Sequence, residues 1–167
     1  ALVIDREVGN RAREGMVLVS LGVFYSHQGR KLEATNAYYA AIPVLREVGD
    51  RRNEGVALGN LGCVCMTTGR LDESANWFQA AIAIHREVGN RAVEGSDLMN
   101  LGIVAIERGQ VELAAETHHQ VLALLREVQN PPLEANTLTS LASVYRLSGQ
   151  MDEARAAYEA AITRQRA

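Results

Sequence analysis

Apolar residues recur along most of the chain at steps of three and four positions. Around residue 60, for example, Leu58, Leu61, Val64 and Cys65 follow this spacing. Such steps place side chains on one face of an α-helix, whereas a strand would alternate at every second position. The pattern therefore predicts an all-α protein.

Glycines and small polar residues divide this pattern at regular intervals. Glycine readily adopts the left-handed conformation that closes a helix, and the first helix of each pair is predicted to end at Gly29, Gly69, Gly109 and Gly149. The second helices are predicted to end near Val48, Val88 and Val128. After the third of these, Gln129 replaces the glycine found in the other two, and the prolines behind it are expected to stop the helix.

Helix starts are marked by residues whose short side chains cap exposed backbone N–H groups. The first helix of each pair is predicted to begin near Asn10, Asp50, Asn90 and Asn130. Pro131 follows directly after Asn130, at a position where a helix tolerates proline.

The interrupted pattern returns every 40 residues, since the segment 6–15 reappears at 46–55, at 86–95 and, more weakly, at 126–135. A fixed period of this size indicates stacked repeats, in which each unit buries its apolar face against its neighbours. We predict one solenoid domain of four helix pairs, preceded by the second half of a helix from an earlier repeat. These parts span residues 1–9, 10–49, 50–89, 90–129 and 130–167.

Glycine also stands in the middle of the predicted first helices, at Gly22, Gly62 and Gly102, with Ala142 in the fourth. A mid-helix glycine costs about 1 kcal/mol relative to alanine, so three at one position indicate a compensating gain. The second helices carry ring-bearing side chains at one register, namely Tyr38, Phe78, His118 and Tyr158. We predict that the helices approach closely at the glycines and that the rings fill the remaining gap. His118 is thus interpreted as a core residue rather than a metal ligand.

This combination resembles the tetratricopeptide repeat. In the second unit the positions that carry the resemblance are Leu58, Leu61, Gly62, Cys65, Ser74, Phe78 and Ala81. The resemblance implies a right-handed superhelix of antiparallel helix pairs, whose first helices line a concave groove. The period, longer than the usual one of about 34 residues, is similar to that of cell-polarity scaffolds and of bacterial signal-transducing ATPases and transcriptional regulators.

The resemblance implies a groove lined by residues that flank the mid-helix glycines or lie one turn beyond. In chain order these are Val19, Ser20, Val23, Ser26, Gly59, Asn60, Cys63, Met66, Met99, Asn100, Ile103, Ile106, Thr139, Ser140, Ser143 and Arg146. Asn60 and Asn100 stand where members of the family often hydrogen-bond a bound peptide backbone. The apolar members suit an amphipathic helix or an extended peptide. Packing of some of them against neighbouring helices is the alternative.

Arginine and glutamate alternate in sign at the start of the predicted pairs. One interpretation is a solvated ridge of mutually paired charges. The other is a basic edge of the groove, at which Arg11, Arg51, Arg52 and Arg91 hold acidic side chains of a ligand.

Composition excludes several classes of function. The net charge of the 167 residues is −3, so no basic field attracts nucleic acid or an anionic membrane. No apolar run approaches the roughly 20 residues of a membrane span, and no leader peptide is recognisable. Cys63 and Cys65, two apart on one predicted helix, suit neither a disulfide between them nor a metal site. We expect a cytoplasmic location.

No arrangement of side chains predicts catalysis. His27, His85 and His119 have no carboxylate or cysteine at ligand spacing, and no serine lies in a motif with a base and an orienting acid. We therefore expect neither enzymatic activity, nor a metal, nor a cofactor.

The favoured function is a protein–protein interaction module that binds a peptide or helix in the groove, within a larger signalling or regulatory protein. Two alternatives stay open. The first is a structural scaffold, a homo-oligomer that assembles end to end through residues 1–8 and 160–166. The second is a sensor array of an ATPase, kinase or transcriptional regulator whose active part lies outside this chain.

Overall fold

The computed structural model describes the backbone of residues 2–127, 129 and 131–165, and the side chains of this set from residue 10 onward. These residues form eight helices and no strand, as predicted. The helices are α1 (Leu2–His27), α2 (Lys31–Glu47), α3 (Arg51–Thr67), α4 (Leu71–Glu87), α5 (Arg91–Glu107), α6 (Val111–Glu127), α7 (Pro131–Leu147) and α8 (Met151–Gln165).

The chain divides into two compact units, Ala1–Asp97 and Leu98–Ala167, and the boundary falls inside α5. Unit 1 holds α1 to α4 and the first part of α5. Unit 2 holds the rest of α5 and α6 to α8.

Contacts at the glycines show that consecutive helices in unit 1 run antiparallel. A Cβ built on Gly62 of α3 would lie 2.9 Å from Cε1 of Phe78, and one on Gly55, two turns earlier, would lie 2.7 Å from the ring of His85, two turns later on α4. Residues that come earlier in one helix therefore face residues that come later in the next. Because these glycines have no Cβ, the rings of the second helix pack directly against the backbone of the first, as predicted.

The same close approach occurs in unit 2, where a Cβ on Gly102 of α5 would lie 2.7 Å from Cε1 of His118 on α6. His118 is buried, so its predicted role as a packed core residue is confirmed. Ala142 occupies this register in α7, and its ring partner Tyr158 is exposed on α8. The methyl group of Ala142 occupies the space that the glycines leave open.

A left-handed residue follows almost every helix. The backbone φ angles of Gly29, Gly49, Gly69, Gly89, Gly109 and Gly149 all lie between 68° and 78°. The chain then closes in the manner of a Schellman motif, for example with Arg70 N–H donating to the carbonyl of Cys65 at 2.9 Å. The predicted helix ends at these glycines are confirmed.

Gln129 requires a correction, because the prolines behind it were expected to make the turn. Gln129 itself takes the left-handed conformation, with φ of 51°, and its N–H donates to the carbonyl of Arg126 as the equivalent glycines do. A side chain in this conformation costs roughly 1–2 kcal/mol. Gln129 thus keeps the backbone conformation of the equivalent glycines despite its side chain.

Three predicted helix starts are confirmed, since α3, α5 and α7 begin at Arg51, Arg91 and Pro131. Asp50 caps α3, with its side chain accepting a hydrogen bond from the N–H of Asn53 at 3.1 Å. Asn130 and the predicted helix end at Val128 lie outside the described residues.

The predicted break at Asn10, between a half-helix at 1–9 and the first pair, is wrong. α1 continues from Leu2 to His27 through both Gly9 and Asn10. At Gly49 and Gly89, by contrast, the same kind of Gly-Asn or Gly-Asp pair separates two helices. A Gly-Asn pair alone therefore does not end the helix.

Apolar side chains from α1, α2, α3 and α4 build the core of unit 1. Tyr38 and Ile42 of α2 lie in one cluster with Leu61 and Val64 of α3, and α3 contacts both α1 and α2. In unit 2 a smaller cluster joins Leu122, Leu138, Leu141 and Ala161 from α6, α7 and α8. Within unit 1 the second helix pair therefore packs against the first, and within unit 2 the pair of α7 and α8 packs against α6.

Candidate functional site

Two of the predicted groove residues are buried and have a structural role. Val19 belongs to the hydrophobic core of unit 1. Gly59 is buried because the carboxylate of Asp97 on α5 lies against it, and a Cβ there would be 2.7 Å from Oδ1. Side chains of other helices cover both residues, which leaves little of their surface for a ligand.

The other predicted groove residues of unit 1 remain on the surface of α1 and α3. Ser20 is exposed and donates its hydroxyl hydrogen bond to the carbonyl of Met16. The remaining five are half-buried: Val23, Ser26, Asn60, Cys63 and Met66. Direct contact between α1 and α3 brings these two sets into neighbouring positions.

An apolar stripe lies exposed on α5 in unit 2. Met99, Ile103 and Ile106 follow each other at steps of four and three residues, and their exposed fractions are 38%, 43% and 37%. Asn100 is half-buried beside them. Residues at these steps share one face of a helix, so the stripe is continuous over about two turns.

The predicted groove residues of α7 are polar. Thr139, Ser140 and Ser143 each donate a hydrogen bond to the carbonyl four residues earlier, which leaves their oxygen atoms as acceptors. Ser143 also lies 3.3 Å from the hydroxyl of Tyr158 on α8. Arg146 is exposed. This face suits polar rather than apolar contacts.

The arginine and glutamate positions form ion pairs between helices. Glu54 is 1% exposed, and its carboxylate accepts from Arg46 at the end of α2, at 2.8 Å, and from Arg51. Arg51 also donates to Glu87 at the end of α4, at 2.8 Å. The paired interpretation therefore describes these residues, with one correction: the central glutamate is buried, not solvated.

We call this arrangement, a buried glutamate that accepts from two arginines, the clamp. The next repeat has a clamp around Glu94, which is 1% exposed. Arg86 and Arg91 donate to its two oxygens at 2.8 and 2.9 Å. Burial alone would raise the pKa of Glu94, but the two arginines lower it below its ordinary value. The carboxylate is therefore held in its charged form.

At the chain's other repeats the clamp is weaker or altered. Arg11 donates to Glu14 and Glu47 at 2.7 Å, but Glu14 is half-exposed. In the fourth repeat Pro131 replaces the arginine, and Glu134 pairs with Arg164 of α8 at 3.0 Å beside a cavity of ≈ 380 Å³. Arg52 is exposed. Binding of an acidic ligand by the arginine edge stays a prediction, and at Arg51 the ligand would have to displace Glu54.

Asp97 and His85 form a buried polar pair that the sequence analysis missed. Asp97 Oδ2 lies 3.6 Å from His85 Nε2, and among the described residues neither atom has a hydrogen-bond partner. Burial raises the pKa of Asp97 to about 7 and lowers the pKa of His85. One signal was present in the sequence: Asp97 is acidic, whereas the equivalent positions of the repeats before and after hold Ala57 and Thr137.

No metal site or membrane span is found in the described part of the chain. It contains no cluster of three or more potential ligand side chains, and none of its helices is long and apolar enough to cross a bilayer. No disulfide joins Cys63 and Cys65.

Comparison with known families identifies the architecture. The model of the tetratricopeptide repeat family matches residues 13–87 and 96–167. The chain belongs to the tetratricopeptide repeat family. The resemblance of the mid-helix glycines, rings and small residues is thereby confirmed, and a protein-binding role is typical of this family. No curated protein matches the chain.

Solved structures of low sequence identity share the fold of this tetratricopeptide repeat protein. BtubC from P. vanneervenii has a TM-score of 0.81 at 19% identity, over 90% of this chain and 63% of its own. MamA has 0.75 at 18%, over 97% and 84%. A kinesin light chain with TPR-like repeats from Podosopora anserina has 0.74 at 17%, over 96% and 83%. This chain thus spans less than two thirds of BtubC.

We predict that the buried clamp stabilises the fold far more than its exposed counterpart. Glu54→Gln should lower the free energy of unfolding by about 2 kcal/mol, because charge-assisted hydrogen bonds to a buried group are lost. Glu14→Gln, the matched control, should cost less than about 0.5 kcal/mol, as exposed ion pairs do. Urea unfolding of both variants measures this, and equal losses would contradict it.

The pair of Asp97 and His85 predicts a specific pH dependence. Because the pKa of Asp97 is raised in the fold, its ionisation removes stability as the pH rises from about 4, its unfolded value, to about 7. Asp97→Asn removes this titration. The stability of the variant minus that of the wild type should therefore grow between pH 4 and 7 and stay constant outside that range.

His85 has the opposite effect, because its lowered pKa removes stability as the pH falls. This contribution is present in both proteins, so subtracting the wild-type stability removes it. Asp152→Asn, at an exposed site on α8, serves as the control for the loss of one carboxylate. A difference for Asp97→Asn that stays flat from pH 4 to pH 7 would contradict the prediction.

Proposed function

We propose that the chain is a protein-interaction module that binds an amphipathic peptide helix or an extended peptide along its first helices. The observation that carries this proposal is the exposed apolar stripe of Met99, Ile103 and Ile106. Exposed apolar side chains in a continuous row are typical of interaction sites rather than of an inert surface.

The magnitude of the stripe's contribution fits a modest affinity. Full burial of such a side chain stabilises by roughly 1.5–3 kcal/mol, and these three are already more than half buried. Each therefore offers about 1 kcal/mol on binding. Three such contacts need supporting hydrogen bonds to the peptide backbone, and the hydroxyl oxygens of Thr139, Ser140 and Ser143 on α7, in the same unit, are candidate acceptors.

The ion pairs argue for an apolar rather than an acidic ligand. Arg11 and Arg51 each already hold two glutamates, so an acidic peptide would have to compete with groups fixed by the fold. An apolar ligand face needs no such exchange. A sensor array within an ATPase, kinase or transcriptional regulator would use the same surface, so that alternative differs only in the attached effector.

The test is a selection of random 16-residue peptides displayed on phage, followed by affinity measurements on the selected sequences. We expect peptides with apolar residues at helical or alternating spacing. Ile103→Ser with Ile106→Ser should weaken their binding at least about tenfold, which corresponds to about 1.4 kcal/mol. Asn60→Ala with Asn100→Ala measures the share of the amides.

Leu32→Ser is the matched control, because Leu32 is an equally apolar, exposed residue on the second helix α2. It should leave affinity unchanged. Equal weakening by the control, or the absence of any selected peptide, would contradict the proposal.

A further inference from the structure

A cavity of ≈ 380 Å³ lies between α6, α7 and α8 of unit 2. Its lining brings together two guanidinium groups and one carboxylate, from Arg126, Arg164 and Glu134, and Gln129 and Pro131 complete the wall. Cavities of this size hold small organic molecules. None of the residues proposed for peptide binding lines it.

The cavity follows from one change in the repeat. Pro131 stands at the register of Arg91, whose guanidinium group donates to the buried Glu94 at 2.9 Å. Because proline carries no such group, the space beside Glu134 is left open. Glu134 is 3% exposed and Glu94 1%, so the surrounding helices enclose both carboxylates to nearly the same extent. The cavity is thus an unfilled place in a clamp.

One oxygen of Glu134 has no hydrogen bond. Nε of Arg164 lies 3.0 Å from Oε2 but not in hydrogen-bonding geometry, and this buried oxygen has no other partner among the described residues. Arg164 is itself a departure from the repeat, because Ile84 and Leu124 hold its register and are buried. A buried carboxylate oxygen without a hydrogen bond is costly, so this one favours a ligand that donates.

The two arginines of the lining favour a carboxylate. Arg126 keeps the register of Arg86, but within the described part of the chain no ion pair joins it to Glu134. Arg126 and Arg164 are exposed on their outer sides, so the cavity is open to solvent. Together with Glu134 they leave one positive charge unbalanced, and guanidinium groups bind carboxylates through strong, directed hydrogen bonds.

We propose that this cavity binds a free α-amino acid. The ammonium group donates to Oε2 of Glu134, and the carboxylate accepts from Arg126 and Arg164. A simple carboxylic acid leaves Glu134 without a donor, and a simple amine meets two like charges. A second cavity of ≈ 430 Å³, which shares Pro131 and Arg164 with the first, offers space for the side chain of the amino acid. The proposal is independent of peptide binding.

Isothermal titration calorimetry of the chain with each of the standard L-amino acids tests the proposal. At least one of them should bind with a dissociation constant of about 1 mM or lower. Acetate and methylammonium, which each carry one of the two charged groups, should bind at least about tenfold more weakly than that amino acid.

Two variants place the binding in this cavity. Pro131→Arg restores the residue of the earlier repeats and fills the space, so binding should be lost. Arg126→Gln removes one partner of the carboxylate and should weaken binding about tenfold. Arg155→Gln, at an exposed site on α8 that does not line the cavity, is the matched control and should leave the affinity unchanged. Circular dichroism should show wild-type helix content for all three.

The absence of binding by every amino acid tested would overturn the proposal. So would binding that survives Pro131→Arg in a folded chain, or acetate binding as tightly as the amino acid. Arg126 is exposed, so its variant decides the matter even where Pro131→Arg disturbs the helix. An affinity that Arg126→Gln leaves unchanged, or that Arg155→Gln weakens equally, would also overturn the proposal.

Discussion

The close approach of helices at mid-helix glycines is the contact on which the other features of this structure depend. At Gly62 and Gly102 a missing side chain admits the ring of Phe78 or His118 from the following helix. A glycine there costs about 1 kcal/mol of helix stability, and burying an aromatic side chain repays more than that. This close approach determines how the two helices of a repeat pair. The pairing determines which side of each first helix contacts the next pair. The opposite side of the first helix is then exposed to solvent.

The charged residues add a second, longer-range connection between the same elements. An arginine at the end of one second helix reaches a buried glutamate at the start of the next first helix, as Arg46 does for Glu54 and Arg86 for Glu94. Because a buried carboxylate is costly without partners, this contact specifies the register of stacking as well as stabilising it. Arg51 and Arg91, two residues of the predicted ligand-binding edge, contact these same glutamates.

The elements of the fold could be predicted from the sequence because each depends on local physics. Helical spacing, glycines that take the left-handed conformation and the 40-residue period are readable without knowing any contact. The sequence was least informative where contact with another helix determines whether a residue is buried or where a helix ends. Nothing local shows that Val19 and Gly59 are covered, or that α1 continues past Asn10.

The polar contacts between helices were the hardest to predict. Glu54 looks like one charge in an alternating run, and only the position of Arg46 on another helix makes burial tolerable. Asp97 meets His85 across two helices, 12 positions apart in the sequence. In contrast, the exposed stripe on α5 follows directly from the repeat register. The candidate surface stays a prediction, and its members differ in burial.

A double-mutant cycle at Gly62 and Phe78 tests the central claim most directly. Gly62→Ala alone should lower the free energy of unfolding by about 2 kcal/mol or more, because the new methyl group overpacks against the ring. In the Phe78→Ala background the same change should become neutral or stabilise by up to about 1 kcal/mol, the helix preference of alanine. An equal loss in both backgrounds would contradict the account, since the ring would then not be the reason for the glycine.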